Sequence, residues 1–200
     1  MGSASAFSQA KSWLQHYTQN HSACRLRGPV TAPRRLLHLT PDGQSVKVAQ
    51  PGPVPYVALS YCWGGDQPFK LTRATQEALG NGVSVSGLSP TIQDAISATA
   101  GLGFCYLWVD ALCIIQDDLD DKYAQIPKTA DIYRGAEFTI AAAKCASSEE
   151  RFLTSDCPPM GFSIGIRTAR GRDGMMLLLP DRMLQSSDLG NHIPRLHHRG

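Results

Sequence analysis

The sequence predicts an α/β domain, three layers deep with a mostly parallel sheet, carrying an N-terminal helix and a β-hairpin. Three observations lead there. Two apolar runs rich in aromatic and β-branched residues, 56–63 and 104–109, read as buried strands. Between them, Leu88-Ser89-Pro90-Thr91 opens a helix with Ser89 as N-cap and Pro90 at its first position, and Gly101 stops it. A third run, 137–143, follows another helical stretch, and the resulting β-α-β-α-β order calls for parallel strands joined by right-handed crossovers.

Taken from the start, residues 7–17 space Ala10, Trp13, Leu14 and Tyr17 three and four apart, a short amphipathic helix that needs a body to dock on. Residues 35–39 and 45–48 alternate as strands around Pro41-Asp42-Gly43, in which Pro fixes φ and Gly accepts a positive one. They read as a hairpin on the sheet edge. Pro51, Pro53 and Pro55 make a stiff connector before the first buried strand, and a short helix fits 73–79 in the loop-rich stretch after it. After the second strand, the acidic run 117–121 suits the positive end of a following helix. Pro127 limits where that helix begins, and Tyr123, Ile126, Ala130 and Tyr133 would share its buried face. Residues 175–179 make a last strand behind an Arg170-to-Gly174 turn. We divide the chain into a helical extension, 1–32, and a domain, 33–200.

The densest apolar segment, 106–118, is interrupted by one carboxylate. Asp110 falls where the strand leaves the core, and ligands of open α/β sheets gather beyond such carboxyl ends. It either lines a pocket there, with Gln116 and Asp117 beyond it, or caps a turn through backbone N–H groups. The first strand exits through Ser60, Tyr61, Cys62, Trp63, Gly64 and Gly65. The glycine pair allows a sharp turn or a close approach to a ligand, but falls short of a phosphate-cradling fingerprint, and a plain turn over core aromatics fits better.

Composition narrows the function. Two hundred residues hold one domain with a sizeable core; a net charge of +2 with scattered basic residues lacks the clustered footprint of a nucleic-acid surface. The six cysteines form no Cys-x-x-Cys pair, and Cys62, Cys105 and Cys113 sit in apolar runs where free thiols behave as small hydrophobes. His21 and Cys24 supply half a metal site at most, so no metal is expected. The histidine-rich end, 191–200, reads as a loop. No secretory signal and no membrane-length apolar run are present, which points to a reducing, intracellular setting.

The segments YVALSYCWGGD (56–66), LSPTIQDAISATAGLGFCYLWVDALCIIQDD (88–118) and DIYRGAEFTIAAA (131–143), with APRRLLHL (32–39) ahead of them, resemble the fungal heterokaryon-incompatibility (HET) domain over roughly 33–155. The resemblance implies a cytoplasmic protein of fungal allorecognition that triggers programmed cell death when incompatible strains fuse. The family is a distant relative of TIR domains, which implies a flavodoxin/TIR-like fold that either self-associates or hydrolyses NAD at the nicotinamide glycosidic bond. In that reading NAD is a substrate and no cofactor is needed. Asp110 would be the catalytic carboxylate, with Ser60, Tyr61, Trp63, Gly64, Cys113, Gln116 and Asp117 as ligand-binding residues. Gln125 and Thr129 stand where many members carry an acidic residue and Met. The family pattern continues into Trp-x-x-Gln-Glu, which resembles the TIR motif bearing the catalytic glutamate; this chain stops on its threshold at His198-Arg199-Gly200, so the domain is expected to be cut short at its C-terminal end and its set of carboxylates for NAD hydrolysis to be incomplete. The alternatives are a non-enzymatic signalling module that self-associates, a partner of another incompatibility protein, or a truncated modulatory paralogue.

Overall fold

A computed structural model describes residues 3–20, 32–153, 162–167 and 173–178. The elements run α1 (Ala4–Asn20), β1 (Leu36–Leu39), β2 (Ser45–Ala49), β3 (Val57–Ser60), α2 (Gln76–Asn81), β4 (Val83–Ser84), α3 (Pro90–Gly101), β5 (Tyr106–Trp108), α4 (Asp110–Cys113), α5 (Leu119–Gln125), α6 (Thr129–Gly135), β6 (Phe138–Ala141), β7 (Phe162–Arg167) and β8 (Asp173–Leu178). His21, Cys24, the 170–172 part of the Arg-rich turn and the histidine-rich end lie outside the described residues.

The α/β class holds, and the main sheet is a mixed, open one in the order β4-β2-β1-β5-β3-β6. Its parallel part is β5-β3-β6, with Ala58 beside Trp108 on one flank and Thr139 on the other. These strands read as continuous apolar runs because both faces are covered; Val57, Ala58, Leu59 and Leu107 are wholly buried. The other half is antiparallel. β1 pairs with β2 as the expected hairpin, but it also pairs with β5 through Leu37 and Leu107. The hairpin is therefore not an edge ornament, and its inner strand is as buried as the parallel core, Leu36 and Leu37 being fully covered. The two-residue β4 forms the outer edge against β2, too short to signal itself in sequence. β7 and β8 form a separate antiparallel ribbon.

Helix α3 buries Ile92, Ala95, Ile96 and Thr99, the face that the spacing predicts. Ser89 is its N-cap residue, yet its hydroxyl is buried without a partner, because the Thr91 N–H is taken by the Ser148 carbonyl at 3.0 Å. Helix α1 meets α3 where Gly101 has no side chain: a Cβ there would stand 2.5 Å from the Phe7 ring. Phe7, rather than the Trp13 stripe alone, thus ties the extension to the core.

The single helix expected after the acidic run is broken. Asp118 caps α5, its side chain accepting from Asp121 N at 3.1 Å, but Pro127 lies in a 3₁₀ turn over Ile126–Lys128 and α6 starts afresh. The 3₁₀ turn shifts the register of the second half, and the predicted face does not hold. Tyr123, Ile126 and Ala130 are exposed, and α6 buries Ile132 instead. Cys113 and Cys145 are buried as small hydrophobes, whereas Cys62 and Cys105 are exposed, since each lies just outside a strand in a turn.

Among the described residues no helix is long and apolar enough to cross a membrane.

Candidate functional site

In the parallel part of the sheet β3 comes first in the chain and lies in the middle, so the chain moves to β5 on one side and then crosses to β6 on the other. Crevices open outside carboxyl ends at such a reversal. The parallel pairs Val57–Leu107 and Ala58–Trp108 make the chain leave β3 and β5 at the same edge of the sheet, β3 through Ser60 and Tyr61 and β5 through Val109 into α4.

Asp110 is half-buried and begins α4. One carboxyl oxygen accepts from Ala111 N at 2.7 Å, a local cap; the other accepts from Trp63 Nε1 at 3.0 Å, a contact across forty-seven positions of sequence. The turn-capping reading of this residue thus holds for one oxygen, and the other ties it to the loop after β3. Burial pushes the Asp110 carboxyl above its ordinary range, and the hydrogen bonds from Ala111 and Trp63, with the Tyr61 hydroxyl nearby, restrain that rise. The Tyr61 hydroxyl is itself buried with no well-formed hydrogen bond, and burial and the Asp110 charge raise its pKa.

Tyr133 completes the group. Its ring stands edge-on to the buried Trp108, centroids 5.4 Å apart, and its hydroxyl donates to the Leu59 carbonyl at 3.0 Å. Burial first, and the Asp110 charge second, push it up to about 12, so at neutral pH it is a protonated hydroxyl beside a carboxyl. It also interacts with the Ser60 hydroxyl, which is exposed at the tip of β3. Sequence reasoning assigned Tyr133 to a core helix face; its only signal was its position just before the third parallel strand.

The loop after β3 is held by its own small residues. Gly64 has φ +70°, and a Cβ there would lie 2.2 Å from Ser147 Cβ. Backbone and side chains from 147–148 grip this loop: Ser148 N donates to the Trp63 carbonyl at 3.2 Å, and Gln67 Nε2 reaches both that carbonyl and Ser148 Oγ. Gly64 thus allows the close approach that fixes Trp63 over Asp110.

The remaining candidates sit differently. Gln116 spends its amide donor on the Asp110 and Ile114 carbonyls, bracing the turn from behind. Asp117 turns to the neighbouring loop and accepts from Arg73 N at 2.9 Å. Cys113 is buried, and burial pushes its thiol up to about 12. The segment carrying them is anchored by Arg35, whose guanidinium pairs with Asp121 and donates to the Cys113 carbonyl at 2.7 Å. Burial acts to raise the Asp121 carboxyl, but Arg35, the Ile115 N–H and Arg34 together hold it below the usual carboxylate range. Among the described residues no cluster of three metal-ligating side chains occurs.

The assembled class is thus an open α/β domain with a half-buried acid, Asp110, near Tyr61, Trp63 and Tyr133 beyond the carboxyl ends of its parallel strands. A family profile described as Heterokaryon incompatibility protein (HET) matches residues 56–168, more than half of the chain. The chain belongs to the HET family. The match begins at Tyr56, so the hairpin β1–β2, which supplies the antiparallel inner strands of the sheet, precedes it. No curated protein and no solved structure matches this chain.

Proposed function

We infer that this HET domain is a cell-death effector of fungal allorecognition that hydrolyses NAD at the nicotinamide glycosidic bond, with Asp110 as its catalytic carboxylate. The observation that supports the reading is the Trp63–Asp110 contact, which ties the loop leaving β3 to the acid that follows β5. The resemblance to TIR relatives supplies the reaction. As the C1′–N bond breaks, its electron pair leaves with neutral nicotinamide and positive charge builds on the ribose. A fixed carboxylate in a poorly solvated wall stabilises that charge. Water then bonds to C1′ and releases its proton, giving ADP-ribose. The Trp63 and Tyr61 rings would flank the nucleotide, and the Ser60 and Tyr133 hydroxyls suit ribose hydroxyls.

The test is nicotinamide release from NAD by the purified chain and by Asp110→Asn. We expect release by the first and at least about a hundredfold less from the second, a loss typical of removing transition-state charge stabilisation. Undiminished release by the variant, or none from either, contradicts the reading. Toxicity on expression in a fungal host that survives Asp110→Asn would instead favour a signalling module.

A further inference from the structure

We propose that Asp94, on α3, is a positioning residue for the site around Asp110: it pins the segment 147–153, and that segment sets the Trp63 indole against the Asp110 carboxyl. The side chain of Asp94 is only 8% exposed, and the reading of Asp110 as the working carboxylate makes no use of it. A buried acid persists where its oxygens find partners, and here both do. One oxygen accepts from Arg151 Nη1 at 2.8 Å, the other from Phe152 N at 2.8 Å and Leu153 N at 2.9 Å. Thr91, one turn earlier and on the same side of the helix, is wholly buried and adds two more ties. Its hydroxyl donates to the Glu150 carbonyl at 2.6 Å and its N–H to the Ser148 carbonyl at 3.0 Å. Helix α3 therefore buries a polar side against this segment as well as an apolar one in the core.

The segment passes that hold on to the loop after β3. Ser148 turns its carbonyl to α3 and its N–H to the Trp63 carbonyl, at 3.2 Å, so one residue is gripped from both sides. Gln67, itself buried, donates from Nε2 to the same Trp63 carbonyl and to Ser148 Oγ at 3.1 Å. Gly64 lies so close to Ser147 that no Cβ fits between them, so the loop cannot slide without moving the segment. Trp63 Nε1 then reaches Asp110 at 3.0 Å. Every step from Asp94 to Asp110 is a hydrogen bond or a close-packed contact, and a displacement of about 1 Å would take the indole out of hydrogen-bond range. An effect on turnover rests on the role given to Asp110 above, whereas the position of the indole does not.

The experiment is NMR of the Trp63 indole N–H in the full chain, identified by its loss in Trp63→Phe and calibrated with Asp110→Ala, which removes the acceptor. Asp94→Ala takes away the pin. Asp94→Asn keeps the volume but meets three donors with a single acceptor oxygen, and it serves alone should Asp94→Ala not fold. Leu39→Ala, in the buried hairpin, is the control for lost stability. We expect both Asp94 variants to move the indole resonance toward its Asp110→Ala position, with Leu39→Ala leaving it where the wild type has it. Nicotinamide release should fall about tenfold or more in the Asp94 variants and stay near the wild-type rate in Leu39→Ala. An indole resonance that stays put in the Asp94 variants overturns the proposal, and so does one that moves as far in Leu39→Ala. Movement of the resonance with no nicotinamide release from any chain bears out the positioning and contradicts only the reaction.

Discussion

Trp63 Nε1 donates to Asp110 Oδ2 at 3.0 Å, so the loop leaving β3 holds the carboxyl that ends β5. Removing that donor while keeping an aromatic ring isolates its contribution. Trp63→Phe leaves the half-buried carboxyl one partner short and should cost about 1–3 kcal/mol, read from the urea unfolding midpoint. Nicotinamide release should fall with it, since the carboxyl is no longer aimed.

Asp110 itself should be destabilising at neutral pH. Its folded-state pKa is raised above the ordinary 3.8, chiefly by burial. A group shifted upward favours the fold below its unfolded pKa, and that benefit is lost as pH rises through the folded value. Asp110→Asn removes that pH-dependent penalty but turns an amide NH2 toward one of the two donors, Ala111 N or Trp63 Nε1, so its melting temperature relative to wild type should rise between acid and pH 7, whatever its sign in acid. A difference that stays constant with pH would contradict the raised carboxyl.

The opposite sign holds at Asp121, whose carboxyl is held down by Arg35 despite its burial. Its contribution is complete above the unfolded carboxylate pKa and is lost as pH falls through the depressed folded one. Arg35→Met strands a buried charge and should cost about 3–5 kcal/mol at pH 7, whereas the pair Arg35→Met with Asp121→Leu should recover most of it. Chemical denaturation of the single and double variants measures both.

Two glycines give contrasting outcomes. Gly64→Ala meets a positive φ and the Ser147 backbone, whose Cα would be 2.6 Å away, so it should cost more than the roughly 1–2 kcal/mol of the left-handed conformation alone. Gly101→Ala meets only the Phe7 ring, which can move. It should leave the unfolding midpoint of the domain nearly unchanged while making α1 more susceptible to limited proteolysis.

How far these features were legible in the sequence follows from their range. The buried strands, the hairpin and the α3 face are local patterns of period two or 3.6, and they fell where expected. Asp110 at a strand exit was visible for the same reason. Its partner was not: only the family resemblance placed Trp63 at the same site, and a hydrogen bond across forty-seven positions leaves no local pattern. Tyr133 was hidden by Pro127, which splits one apparent helix and turns its C-terminal part toward the cleft while leaving Tyr123 and Ile126 outside. Gln116 and Asp117 were drawn toward the site by proximity in sequence, yet their hydrogen bonds are to backbone behind and beside it. The inner position of β1 depends on pairing with a strand seventy residues away, which no local pattern records.

A crystal structure of Asp110→Asn, which keeps the shape of the cleft and slows turnover, grown with NAD, tests the central claim most directly. The account predicts the nicotinamide ribose against residue 110, between the rings of Tyr61 and Trp63, with its hydroxyls near Ser60 and Tyr133. Dinucleotide bound elsewhere on the domain, or a cleft that stays empty at millimolar NAD, would contradict it.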